Sequence, residues 1–281
     1  MADDGSLPGH SGEDRAGLAP DFPWHCAPTS WHTCRTRDDG SVDIDPHASN
    51  GELSDDELVE ALAPLSLRST LDIPKLASSA GRRVDEPSSF ADLVAHYRSA
   101  LFESPFAAPA VVRPDGHREL RRTEVAASVV FQAVVAHVAN VVLLASRVLG
   151  VGVQPRPGDI RWRADGWGTR FGLAEIRRSE LVGMSEVLSR LGDEVVEPLL
   201  TIVGPHAPVV ERVLRGNARA AMWTAVVAAH SHVPLTDRER DEIAALDVGP
   251  TRDTCCGIHL AGLVACDECP RAPAETQPEA I

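Results

Sequence analysis

Lysine is almost absent from this chain. Only Lys75 is present, so nearly all of the 27 lysine and arginine side chains are arginine. The abundance of alanine and valine beside it points to a coding bias rather than a function. The 41 acidic residues outnumber the cations and leave a net charge of −14. That balance argues against a nucleic-acid partner and against a polybasic contact with membranes. A Gly-rich phosphate loop, a flavin or nicotinamide fingerprint and a Ser-His-Asp pattern are all missing. The chain also lacks internal repeats, which sets aside solenoids. Its first residues, Met1-Ala2-Asp3-Asp4, show neither a basic region nor an apolar run, so no secretory signal is expected and the expected location is cytoplasmic. In other respects the composition is that of an ordinary globular protein, with 43% hydrophobic and 24% charged residues over 281 positions.

What the chain does have is a concentration of cysteine near its end. Four of its six cysteines, Cys255, Cys256, Cys266 and Cys269, fall in a C-C-x9-C-x2-C pattern. Thiolates this close in sequence can share one metal centre, and four of them suit a [2Fe–2S] cluster or a structural zinc. Cys266-x-x-Cys269 can clip a single metal atom. The side chains of the adjacent pair Cys255-Cys256 diverge, which fits two separated irons better than one small tetrahedral ion. Zinc sites more often carry two C-x₂₋₄-C clips. Zinc stays open as the second reading. A disulfide or unligated thiols come third, since a structural disulfide needs an oxidising compartment.

The stretch Arg252 to Pro270 resembles the C-terminal signature of the FhuF-like ferric-siderophore reductases. Arg252, Asp267, Glu268 and Pro270 suit the resemblance as well as the cysteines do. Nine residues separate Cys256 from Cys266 where the family usually has ten. The resemblance covers roughly residues 86–270 and is strong only in the cysteine stretch. It implies a [2Fe–2S] cluster held by Cys255, Cys256, Cys266 and Cys269, and a ferric siderophore as substrate.

Along the chain, residues 1–50 read as a disordered arm rich in Gly, Ser, Asp and Pro. It carries Trp24-His25-Cys26 and Trp31-His32-Thr33-Cys34, without metal-clip spacing, so its rings are expected to dock the arm and its thiols to stay free. Residues 51–250 form the expected helical body. Ser54-Asp55-Asp56-Glu57 is a capping box opening a short helix that Pro64 ends. Phe90, Leu93, Val94, Tyr97 and Leu101 recur at helical spacing. Ala110 to Arg122, with its Pro114-Asp115-Gly116 turn, suggests a hairpin. Val125 to Ser146 holds no Asp, Glu, Lys or Arg. It is long enough to span a bilayer, but Gln132, His137 and Asn140 inside it favour a buried central helix, with His137 a satisfied core residue and no integral membrane segment.

Residues 159–173 read as strand, turn, strand. Arg161, Arg163 and Arg170 share this ribbon with Trp162 and Trp167, and their forks suit an oxygen-rich ligand. A solvated strand face is the plainer alternative. Helices are expected at Leu181 to Leu191, at Asp193 to Val203 interrupted by Pro198, and at Pro208 to His230. Gly216-Asn217 resembles the Gly-Asn within a long helix of the same family. A buried Asn217 must be satisfied, by a neighbouring helix backbone or by substrate. Thr236 to Glu239 caps a last helix, and residues 247–250 hinge into a cysteine lobe at 251–270, followed by a flexible tail at 271–281.

The expected fold class is therefore mainly α with one or two small β-hairpins (α+β) and a C-terminal cysteine-rich metal lobe. The expected function is reduction of Fe(III) in ferric siderophores, because hard oxygen donors hold Fe(II) far less tightly. Asp253, Asp267 and Glu268 would add negative charge near the sulfurs and lower the cluster potential. Without a nucleotide site, an external electron donor is required. Two other classes stay open: a [2Fe–2S] electron-transfer or redox-sensing protein without siderophore, and a helical binding protein with a structural zinc.

Overall fold

A computed structural model of the chain describes residues 53–62, 81–103, 118–205, 211–246 and 248–249. The chain order is α1 (Asp55–Leu62), β1 (Arg82–Arg83), α2 (Pro87–Phe102), α3 (Arg118–Leu149), β2 (Gly152–Val153), β3 (Ile160–Asp165), β4 (Gly168–Leu173) and β5 (Arg178–Ser179). It continues with α4 (Met184–Leu191), α5 (Glu197–Val203), α6 (Glu211–His232) and α7 (Asp237–Ala245). The described fold is mainly α with small antiparallel sheets, an α+β arrangement.

The uncharged run becomes the centre of α3. An 18-residue window of this helix has a mean hydropathy of 2.0, and 78% of that window is buried in the fold. Such a helix needs apolar neighbours on several sides. α6 packs along it most extensively, and α2 covers a second side. On α6 the buried small residues Ala218, Ala221, Ala225 and Ala229 recur at helical spacing and let the two backbones approach. α2 contributes Phe90, Leu93, Tyr97 and Leu101, as its period anticipates. One polar link crosses the α3–α6 seam. The Asn217 amide donates to the Ser128 carbonyl at 3.1 Å and to the Ser128 hydroxyl at 2.7 Å, and Asn217 has no exposed surface.

The caps form as read. In α1 the Ser54 backbone and hydroxyl both donate to Glu57, and the Glu57 amide returns a bond to Ser54. Thr236 and Glu239 repeat the pattern at α7. Glu239 also accepts from Arg147 near the end of α3, at 2.7 Å in a half-buried pair, so the cap ties α7 to the central helix.

Several expectations need correction. Arg118 to Arg122 is the first turn of α3 rather than part of a hairpin, while the Pro114-Asp115-Gly116 turn lies outside the described residues. Leu181 precedes α4 and is exposed, since the helix begins only at Met184. Pro198 opens α5 instead of interrupting a helix. The five residues before it, Gly192–Val196, form a π turn, whose wider bore accommodates a residue without an N–H and with a bulky ring. Two short strand pairings also have no counterpart in the periodicity, β1 on β3 and β2 on β5. β2 and β5 approach so closely that a Cβ on Gly152 would lie 2.4 Å from the Ser179 carbonyl oxygen.

The Asn217–Ser128 link generates a stability test. Asn217→Ala removes the donor and leaves Ser128 buried with one partner fewer, so unfolding by denaturant should show a loss of about 1–3 kcal/mol. Ser128→Ala keeps the carbonyl as acceptor and should cost less. If Asn217→Ala unfolds at the wild-type midpoint, the seam does not depend on this link.

Candidate arginine-faced site

β3 and β4 form a hairpin with Ile160 opposite Leu173, Trp162 opposite Phe171 and Arg163 opposite Arg170. The turn is closed by Gly166 and Trp167, and Gly166 has φ +60°, a conformation that favours glycine. β1 adds a third strand with Arg82 opposite Trp162 and Arg83 opposite Arg161. Side chains alternate across a strand, so Trp162 and Phe171 fall on one face and Arg83, Arg161, Arg163 and Arg170 on the other. The aromatic pair is buried, at 3% and 6% exposure.

The inner face is pinned by hydrogen bonds as well as packing. The Trp162 indole N–H donates to the Ser89 hydroxyl of α2 at 2.9 Å. His96, also on α2, places Nε2 2.8 Å from the Gly168 carbonyl oxygen. Its ring lies tilted against Trp162 with centroids 6.3 Å apart. The hairpin is therefore fixed to α2 at both ends, and the arginines ride on a rigid support.

On the outer face two arginine pairs stand directly opposite one another. Like charges in that position destabilise a sheet. Carboxylates relieve the ends of the patch. Arg83 grips Asp85 with Nε and Nη2 at 2.9 and 2.6 Å, and this hydrogen bond, then the charge of Asp85, holds its pKa above the ordinary value. Arg170 Nε meets Asp165 at 2.5 Å. Arg161 is different. Its Nη1 donates to the Gly158 and Ile160 carbonyl oxygens at 2.6 and 3.4 Å, which orients the guanidinium without neutralising it. Arg82 sits at the edge, with its guanidinium 5.3 Å above the Trp162 ring and an ion pair to Asp92. Trp167 stands at the tip and is 41% exposed.

The three arginines read from the sequence thus come together on one face, and the structure adds Arg83. Asn217 does not join them. It lies inside the α3–α6 seam and serves the helix pair. Cys255, Cys256, Cys266 and Cys269 lie outside the described residues, as do Cys26 and Cys34. Among the described residues no group of three or more His, Cys, Asp and Glu side chains is placed to hold a metal ion.

His137 is buried as expected, but it is not satisfied. Its ring packs on Phe171 with centroids 5.5 Å apart, and Nε2 has no hydrogen-bond partner among the described residues. Nearby, burial pushes the Tyr97 phenol up, and the Thr169 hydroxyl pulls part of the way back.

No family model, curated protein or solved structure matches the chain. The functional reading therefore rests on the residues themselves.

His137 should make the body acid-sensitive. Desolvation pushes its pKa from the ordinary 6.5 down to about 4. The folded state thus keeps the ring neutral while the unfolded chain takes up a proton. This source of stability is fully present above pH 6.5 and is lost as pH falls toward about 4. The total is about 3 kcal/mol, at 1.36 kcal/mol per pKa unit. Carboxylates titrate near the lower end, so the interval from 6.5 to about 5 leaves mainly histidines, and comparison with a His137 variant subtracts the other ten. Denaturant midpoints across that interval should slope for the wild type and flatten for His137→Leu. Equal slopes would show that His137 protonates freely in the fold.

Proposed function

We propose that the chain is an iron–sulfur protein that reduces Fe(III) in ferric siderophores and so releases Fe(II). The observation that carries this reading is the C-C-x9-C-x2-C stretch and its resemblance to the FhuF-like reductases. As a donor set, Cys255, Cys256, Cys266 and Cys269 fit a [2Fe–2S] cluster: four soft thiolates, with an adjacent pair better suited to two irons than to one tetrahedral ion. When bound, such a cluster supplies one electron at a time.

The chain's own residues would do the rest. Arg161, Arg163 and Arg170 would orient an oxygen-rich chelate against the hairpin, and Arg83 extends their reach. Fe(III) is held by hard oxygen donors, and its one-electron reduction product is held far less tightly, so electron delivery alone releases the metal. The electron would come from an external donor, in keeping with a sequence that carries no flavin or nicotinamide fingerprint. The proposed site of action is the cytoplasm.

Body and lobe differ in what stabilises them. Among the described residues one continuous apolar cluster runs from Leu58 to Val248, and we propose that this body folds without the cysteine stretch. Residues 251–270 carry few large apolar side chains, only Ile258, Leu260, Leu263 and Val264. Ordering a residue costs about 1–2 kcal/mol, which such a segment can offset only through metal–thiolate bonds.

Protein purified without oxygen should be reddish-brown and hold about two irons and two labile sulfides per chain. Colourless protein with one zinc per chain would point instead to a structural metal. Cys269→Ser should lose the cluster spectrum and stop iron release while far-UV circular dichroism and chelate binding persist. Cys26→Ser and Cys34→Ser should leave the spectrum intact. Iron release from Cys269→Ser at the wild-type rate would remove the cluster as electron source.

A further inference from the structure

Among the described residues a shallow cleft lies between β2, β5, α3, α4 and the π turn. Its floor is apolar: Val142 from α3, Val153 from β2, Val187 and Leu191 from α4 and Val195 from the π turn. Its rim carries two carboxylates. Glu180 follows β5, is exposed and has no side-chain partner among the described residues. Glu194 accepts from the Gln154 amide at 2.6 Å on each oxygen, and a neutral amide leaves its charge in place. The lining arginine, Arg190, is paired with Glu186 at 2.9 Å. Glu194 and Val195 both belong to the π turn, a rare geometry that recurs at functional sites.

An apolar floor beside uncompensated carboxylates suits an occupant with an aromatic body and cationic ends. The chain itself carries such a segment. Residues 1–52 hold three cations, Arg15, Arg35 and Arg37, and two of these follow closely on Trp31 in Trp31-His32-Thr33-Cys34-Arg35-Thr36-Arg37. Asp38 and Asp39 end the cationic stretch. The body fixes where this arm enters. The Leu53 carbonyl oxygen accepts from Arg178 Nη2 at 2.7 Å, and Asp55 accepts from the same nitrogen at 2.9 Å. Arg178 lies on β5, and the next two residues, Ser179 and Glu180, line the cleft. The arm therefore joins the body at the edge of the cleft. Arg37 stands 16 positions before Leu53. A flexible span of that length reaches about 20–25 Å on average and about 50 Å at full extension, so the tether spans the cleft without strain.

We infer that residues 31–37 dock in this cleft, with the Trp31 ring across the apolar floor and Arg35 and Arg37 on Glu180 and Glu194. The cleft is then an internal docking surface that holds the arm, and Cys34 with it, against the body. The inference does not depend on the siderophore reading. A tether makes docking intramolecular, at an effective concentration of about 1 mM. A weak contact then suffices: an intrinsic Kd of about 0.1 mM leaves about ten docked arms for each free one. A second copy of the chain offers the same segment only at its bulk concentration, and an outside partner has no tether, so the chain's own arm is the favoured occupant.

Trypsin reads the two arginines directly in the full chain. The reference is a synthetic peptide of residues 24–45, which offers the same bonds in the same sequence with no body attached. Cleavage after Arg35 and Arg37 should be about tenfold slower in the full chain than in the peptide. Cleavage after Arg15, outside the segment, should match a peptide of residues 8–22. Glu180→Gln with Glu194→Gln should bring the two protected bonds to within about twofold of the peptide, and high salt should act in the same direction. Trp31→Ala should also remove most of the protection. Circular dichroism checks that the glutamine variant folds, and Trp31→Ala tests the same contact while leaving the body's own residues unchanged. Cleavage of the wild-type chain at the peptide's rate would overturn the inference, as would protection that both variants leave intact. Protection that grows with protein concentration would assign the cleft to a second copy. Protection that appears only with added cell extract would assign it to an outside partner. Either result would also overturn docking of the chain's own arm.

Discussion

Burial of α3 is the constraint on which the rest of the structure depends. Twenty-two consecutive residues, Val125 to Ser146, offer no charge to water. A helix with this surface must be enclosed, and the remaining elements are arranged by what they contribute to the enclosure. α6 supplies a small-residue face that allows close approach, and α2 supplies large apolar side chains that fill the space beside it. The Asn217–Ser128 link sits within the closest of these contacts. Apolar packing is non-directional and tolerates sliding by a helical turn. A buried amide whose acceptors both sit on Ser128 does not, so the link fits a role in setting the register of α3 against α6.

The same enclosure positions the candidate site. The hairpin reaches the core through Trp162, Phe171 and Leu173, and Phe171 packs on His137 of α3 itself. Two-residue periodicity then forces Arg161, Arg163 and Arg170 outward as a consequence of the aromatic residues pointing in. Fixing one face fixes the other. The bonds from Trp162 to Ser89 and from His96 to Gly168 hold the hairpin on α2, so the guanidiniums are displayed by a support that cannot twist away. That rigidity matters because an arginine cluster on a mobile loop would relax by spreading apart.

The legible parts of this fold are those where a periodic pattern outlasts a turn or two. α2 and α3 are readable because their apolar faces repeat over many residues, and α1 and α7 because Ser54 to Glu57 and Thr236 to Glu239 are local chemical devices. The hairpin is readable because alternation and a glycine turn coincide. β1 is not, because two residues show no period, and so Arg83 stays invisible as a neighbour of Arg161. Ser128 is likewise hidden: it meets Asn217 across 89 positions, a distance that no local rule spans. Leu181 misleads because it continues the helical spacing backward past the point where α4 begins. The Gly192–Val196 turn depends on the competing demands of Pro198 and of packing, and spacing alone does not rank them.

His137 shows why a core is not always built for stability alone. A leucine at its position would suit an apolar helix against Phe171 and would bring no orphan nitrogen. Leaving a buried polar atom without a partner costs about 1–3 kcal/mol, and this one also exposes the fold to acid. The arginine face sets a second demand, two opposed like-charged pairs of which Asp85 and Asp165 compensate one member each. Both meet at the hairpin, His137 of α3 against its inner face and the arginines on its outer face. Marginal stability leaves little room for unforced penalties around one small element. Local conflicts of this kind are expected where a fold serves a site, and the hairpin is where the described structure concentrates them.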